Sequence, residues 1–416
     1  MFENILYQSA ASLLKDDLKH NTLPGSLLFS GPASSGKLSC ALELARVLGC
    51  HNNADWNCNC PSCKKNRVLV NQNVIITGPC DRVTEIKAAS ETFLNAAYNN
   101  TNHLKAARIL FIRSVRKLTS RFNPILWEGD DKLSKFSPIL ASIEENLELI
   151  NPSRTSLPEN EELNTIVDDV YSFCLKLEDS FLYDNLPVSQ IRNFSSWARL
   201  SSSSGKKILI IENADRMADA TRNALLKILE EPPVDTEFIL TTTNRLAMIP
   251  TILSRLRNYS FFERSSKEQQ VIIDKVFHYI PKSSKPMSET IEKFLQNYLP
   301  VESQTISYYA KVFLKNICQG KSLDAKAISA ACANFTPRLI YKAFLEEVIN
   351  LQAKLLTCPK GSEASAKIVK AIQASFNNVN VYNQNPVNSL EELSRSLKEI
   401  NYYDSNVLNL IGFENE

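Results

Sequence analysis

The 416-residue chain has almost no net charge, since 47 basic residues face 45 acidic ones and leave a formal +2. Without a dominating basic field, any grip on nucleic acid is local or shared with other chains. No apolar run approaches the roughly 18 residues that span a bilayer. The opening "MFENILYQSAASLLKDDLKH" lacks the basic start and apolar stretch of a secretory leader. A cytoplasmic protein without membrane partners is therefore expected. Internal repeats and long low-complexity tracts are missing, which excludes solenoids and linker-like chains. No glycine-rich signature follows Glu263 either. What is present is ordinary for a globular protein, 44% hydrophobic and 22% charged, and the length calls for two or three domains.

Ten cysteines could suggest disulfides, but four crowd between Cys50 and Cys63 and the others stand singly in apolar segments. That distribution points to metal in a reducing compartment. Four apolar runs, "SLLFS" at 26–30, "NVIITGP" at 73–79, "KKILIIENAD" at 206–215 and "TEFILTTTN" at 236–244, are expected to be buried strands of a mainly parallel sheet. Helical spacing at 2–20 and after Lys37 gives the α/β pattern. Polar, Asn-rich and Glu-rich segments such as "NPSRTSLPENEELN" mark 95–187 as an insertion, helical in part and partly mobile, on the outer face of the first domain. Beyond Glu263 the periodic segments predict helices to the end, interrupted at "PKSSKP" and "TCPKGSEASA".

Between the first strand and the helix after it lies "GPASSGKLS". Gly31, Gly36 and Lys37 satisfy G-x-x-x-x-G-K, whose backbone amides and ammonium surround phosphates. The next position normally supplies a hydroxyl to Mg²⁺, and Leu38 has no lone pair to offer a hard cation. Ser39 points about 100° further round the helix. Magnesium binding is not expected, and whether ATP binds is left open. The strand "ILIIENAD" ends in Glu212-Asn213 where such ATPases carry Asp-Glu. Glu212 is long enough to reach a metal or can be a polar strand cap, whereas Asn213 has no basic oxygen to activate water; Asp215 points elsewhere.

The order of "LPGSLLFSGPASSGK", the cysteine cluster, "IIENADRMADATRNALLKILEEPP", "FILTTTN" and "ILSRLRNY" resembles bacterial DNA polymerase III clamp-loader subunits of the gamma/tau and delta-prime family, over about 1–95 and 187–262. The resemblance implies a P-loop AAA+ module with a parallel sheet (1–262, zinc module about 50–63), a helical lid (263–325) and a helical collar (326–416). It implies zinc on Cys50, Cys58, Cys60 and Cys63, with only Asn59 between the second and third ligands and His51 as a substitute. The losses at Leu38 and Asn213 make the chain similar to the delta-prime branch, which does not hydrolyse ATP; the alternative is an ATP-hydrolysing gamma/tau-type subunit.

Three further residues take roles from the resemblance. Arg255, in Ser254-Arg255-Leu256, matches an arginine finger that acts on a neighbour's nucleotide; a helix cap or a surface ion pair is its structural alternative. Thr243 and Asn244 match a γ-phosphate sensor. The implied partners are gamma/tau and delta subunits, the sliding clamp, and primed DNA through the assembled complex. Lys64, Lys65 and Arg67 read as a solvated face, since no alternation of aromatic and basic residues accompanies them.

Overall fold

The computed structural model describes residues 1–183, 185–200, 205–279, 290–357, 359–380, 382, 384–404 and 406–412. Five strands, β1 (Ser26–Ser30), β2 (Val74–Thr77), β3 (Lys207–Ile211), β4 (Thr236–Thr242) and β5 (Arg257–Ser260), form one parallel sheet in the order β2-β3-β4-β1-β5. Strand side chains alternate between two apolar cores. Leu28, Ile75, Leu209, Ile211, Phe238 and Leu240 enter one, while Leu27, Phe29, Ile76, Ile208, Ile210 and Ile239 enter the other. Burial on both faces is why the first four strands read as unbroken apolar runs. β5 escaped that reading because only Tyr259 among its four residues is buried.

The helices of the first part are α1 (Ser9–Lys19), α2 (Lys37–Leu48), α3 (Pro61–Arg67), α4 (Val83–Tyr98), α5 (Leu104–Thr119), α6 (Lys132–Leu149), α7 (Asn160–Phe181), α8 (Val188–Arg199), α9 (Asp219–Glu230), α10 (Pro250–Leu253) and α11 (Ser266–Phe277). α1 and α2 cover one face of the sheet. α1 begins later than the spacing predicts, because residues 2–8 make turns in which Phe2 and Ile5 are nevertheless buried.

The supposed insertion is the main departure from expectation. Its helices α5, α6 and α7 bury Phe111, Phe136, Ile143 and Val170 in the same core that takes up Leu28 and Phe238 of the sheet. The segment thus shares a continuous apolar core with the sheet, more closely joined to it than the polar sequence suggests. The polar appearance of 95–187 comes from the solvent faces of amphipathic helices and from one loop, 151–159.

The chain divides into two compact units, Met1–Leu295 and the residues from Gln296 onward, whereas the sequence expectation drew boundaries at 262 and 325. α12 (Ile291–Gln296) spans the division. The second unit contains α13 (Ser303–Cys318), α14 (Ala325–Ala331), α15 (Leu339–Gln352), α16 (Pro359–Asn380) and α17 (Pro386–Tyr403). Their own core includes Phe313, Phe344, Ile368 and Leu397. A buried hydroxyl chain, Tyr341 to Ser375 at 2.6 Å and Ser375 to Ser389 at 2.9 Å, satisfies these three hydroxyls within it. The break expected at "TCPKGSEASA" is largely helix: Pro359 opens α16, a position where its missing N–H costs nothing. "PKSSKP" lies outside the described residues. Among the described residues no helix is long and apolar enough to cross a membrane.

Candidate functional site

The glycine loop leaves the carboxyl end of β1, beside β4, and enters α2. Gly31 has φ +153° and a Cβ there would lie 2.2 Å from the Phe261 carbonyl oxygen, so only glycine lets the loop pass the end of β5. Gly36, at φ +93°, precedes the first turn of α2. Lys37 Nζ donates to Gly31 O at 2.7 Å, to Pro32 O, and to Ser35 Oγ at 3.3 Å. Burial lowers the pKa of this ammonium to about 8 against the pull of Glu212 and Asp215. Leu38 is buried in the core under the sheet, packed with Leu27 and Phe29. It serves as a core residue at the position where a metal-binding hydroxyl would stand. Ser39 is half-buried.

Sequence reasoning missed Arg264. Its Nη1 donates to Ser34 O at 3.0 Å and its Nε to Leu6 O at 3.1 Å, so a buried guanidinium pins the loop to the amino-terminal segment. Nothing local announces it, because its partners lie 230 and 258 residues away.

Glu212 follows β3, yet it faces arginines. Arg82 and Arg121 both donate to its carboxylate. Glu85 bridges Arg82 at 2.9 Å and Lys117. Arg121 Nε also reaches Gly78 O at 3.1 Å, and Trp127 Nε1 donates to Arg121 O at 2.7 Å. Burial alone would raise Glu85, but the charges of Lys117 and Arg82 outweigh it and hold its carboxyl at about 2. Glu212 is lowered likewise, with Arg82 and Arg121 overcoming burial. Both Glu212 oxygens are therefore engaged within the protein. Asn213 adopts the left-handed conformation, φ 51°, that asparagine tolerates, and its Nδ2 donates to Pro79 O at 2.8 Å. Asp215 accepts from Thr242 Oγ1 at 2.6 Å. Thr243 and Asn244 are exposed, and the Asn244 side chain caps a short 3₁₀ turn by accepting from Ala247 N at 3.3 Å.

Arg255 follows α10 at the surface. Its Nη1 donates to Thr251 O at 2.7 Å and its Nη2 pairs with Glu230 at 2.5 Å. The helix cap and surface pair, its structural alternatives, are both realised here. Leu256 is buried in the core.

At the far end of α2, about 18 Å from the loop at 1.5 Å per residue, the four cysteines converge. The sulfurs of Cys50, Cys58, Cys60 and Cys63 lie within 4.8 Å of one another and form a group able to hold a metal ion. The single residue between Cys58 and Cys60 does not keep them apart, and His51 is not in the set. The thiols are met by donors: Asn52 N to Cys50 and Cys63 N to Cys60, each at 3.4 Å, and Arg46 Nη1 to Cys63 at 3.1 Å. Burial opposes ionisation of Cys60, but the amides of Cys63 and His51 draw its thiol down to about 6. Burial pushes Cys63 up to about 12. Arg113 and Arg116 of α5 donate to the carbonyls of Asn66, Arg67 and Val68 at the end of α3, tying this lobe to the helices of the main core.

The family model described as "DNA polymerase III, delta subunit" matches residues 7–126 and 135–265, more than half of the chain. The chain is 35% identical over 72 residues to DNA polymerase III subunit delta' of Haemophilus influenzae, covering 17% of this chain and 22% of that protein. It is 43% identical over 53 residues to the Escherichia coli subunit of the same name, 13% and 16% of the two chains. It is 44% identical over 55 residues to DNA polymerase III subunit gamma/tau of Mycobacterium bovis, 13% and 10%. The matched stretches span at most about a third of the length of such relatives. Among solved structures, a gamma subunit-related protein from Thermotoga maritima is similar at TM-score 0.29 and 16% identity, over 52% of this chain and 80% of that one.

Proposed function

The chain belongs to the clamp-loader subunit family of bacterial DNA polymerase III, and from that premise we propose that it is a non-hydrolysing, delta-prime-like subunit. It would support ATP-driven loading of a sliding clamp onto primed DNA by gamma/tau and delta partners. One observation carries the reading: Leu38, next to the loop lysine, is built into the core and offers magnesium nothing. The engagement of Glu212 with Arg82 and Arg121 adds to it. In this reading the first unit is an AAA+ module, the helical second unit is the collar that joins subunits, and the four cysteines hold structural zinc. Their number, softness and mutual distances suit a tetrahedral thiolate site.

Arg255 would act in trans on ATP bound to a neighbouring gamma/tau subunit. To do so it leaves Glu230, and an ion pair this exposed stabilises by only about 0–1 kcal/mol. That cost is small beside the roughly 10³- to 10⁵-fold that such a finger supplies. The second reading, an ATP-hydrolysing gamma/tau-type subunit, has the retained Lys37 and its contact with Gly31 O in its favour.

Steady-state ATPase measurements on the chain alone and in a reconstituted complex separate the two. The chain alone is expected to show no turnover, and Arg255→Ala to lower turnover of the complex by roughly 10³-fold or more. Turnover by the lone chain that disappears in Lys37→Ala would establish the second reading instead.

A further inference from the structure

The buried cysteine of the cluster has a partner of unusual completeness. Arg46 is 3% exposed, Glu43 4% and Cys63 0%. All five N–H groups of the guanidinium are used. Nε and Nη2 form a fork on Glu43 at 2.9 and 2.7 Å, and the second Nη2 proton goes to Ala54 O at 2.9 Å. Nη1 donates to Asp55 O at 3.3 Å and to Cys63 Sγ at 3.1 Å. Glu43 Oε1 in turn accepts from Phe2 N at 3.3 Å.

A neutral thiol is a weak acceptor that gives little reason to aim a buried cation at it. A metal-bound thiolate carries charge and, where water cannot reach, needs a donor from the protein. Cys50 and Cys60 are partly exposed, whereas Cys63 is fully buried. Lysine could supply the charge, but neither the planar fork nor five donors.

Taking the cluster as the zinc site proposed above, we infer that Arg46 is the positioning residue for the metal-bound thiolate of Cys63, and that through Glu43 it fastens the metal lobe to the amino-terminal segment. α2 is the common support, since Arg46 and Glu43 share one face of it three residues apart. Metal binding is thereby linked to order at residues 1–8.

The test uses the full chain and cobalt(II), whose bands report thiolate ligation, with zinc competing for the site. Arg46→Lys is expected to weaken metal affinity by roughly 10- to 100-fold and to shift the thiolate-to-cobalt charge-transfer band. Unchanged affinity and spectrum, with only lowered thermal stability, would mean that Arg46 is a packing residue and overturn the inference. Should the variant not fold, hydrogen exchange of the unsubstituted chain decides: chelation should deprotect 1–8 together with 50–63, and protection of 1–8 that ignores the metal refutes the fastening. A chain that binds no cobalt at all removes the zinc reading itself, an outcome distinct from both.

Discussion

Arg121 shows how a single residue can settle the fate of a neighbouring acid. Its side chain is 1% exposed and meets Glu212, Gly78 O and Lys117 O at once. Arg121→Met keeps the volume and removes the charge, leaving Glu212 with Arg82 alone. Breaking a buried pair in this way costs about 3 kcal/mol or more, so urea denaturation should show a loss of that order; a change under about 1 kcal/mol would refute the role. Glu85 gives the same network a pH signature. Its carboxyl sits at about 2 in the fold against 4.5 for an ordinary glutamate, so the folded state releases this proton more readily than the unfolded chain. The stabilisation is complete above about pH 4.5 and is lost as pH falls towards 2. Glu85→Gln is expected to flatten stability against pH across that interval, as read from denaturation midpoints at pH 7 and pH 3. An acid limb as steep as that of the parent chain would place the proton uptake elsewhere.

At the scale of elements, the ends of β2 and β3 are locked by one glycine. Gly78 has φ +103°, and a Cβ there would lie 2.1 Å from Glu212 O, while Glu212 N donates to Thr77 O at 2.9 Å. Gly78→Ala must push the two strand ends apart, and strain plus overlap cost about 2–4 kcal/mol. A thermal midpoint equal to that of the parent would show that the connection yields freely. Gly78 went unnoticed in the sequence for the same reason as Arg82, Arg121 and Arg264: their partners are remote, 130 positions for Arg82 to Glu212 and 91 for Arg121 to Glu212. Periodicity and spacing are local signals. They disclosed the first four strands, each buried on both faces, the loop from Gly31 to Lys37, and the cysteines whose sulfurs converge. They could not disclose β5, half exposed, nor that α5, α6 and α7 complete the main core, because amphipathic helices with polar outer faces look alike whether they form a lobe or an interior layer. The hydrocarbon side chain of Leu38 beside the loop lysine was legible; the capture of Glu212 by arginines was not.

For the whole molecule the decisive quantity is charge. The formal +2 overstates what the surface can offer, because several cations are engaged inside the protein. Arg82, Lys117 and Arg121 lie in the Glu85 and Glu212 network, Arg46 is bound to Glu43, and Arg113 and Arg116 hold backbone carbonyls. On the proposed reading such a subunit would contribute few phosphate contacts, and the assembly would gather the remainder from its neighbours. The chain alone should therefore bind primed DNA only in the range of non-specific complexes, roughly 10⁻⁴ to 10⁻⁶ M at physiological salt. The logarithmic salt slope should correspond to about two or three phosphates, each adding about −0.9. Fluorescence anisotropy of a labelled primed template, titrated from low to moderate salt, measures both. Nanomolar binding by the lone chain, with a slope equivalent to six or more phosphates, would show that its surface holds DNA by itself, and that sharing of the duplex among several subunits is not what a near-neutral chain requires.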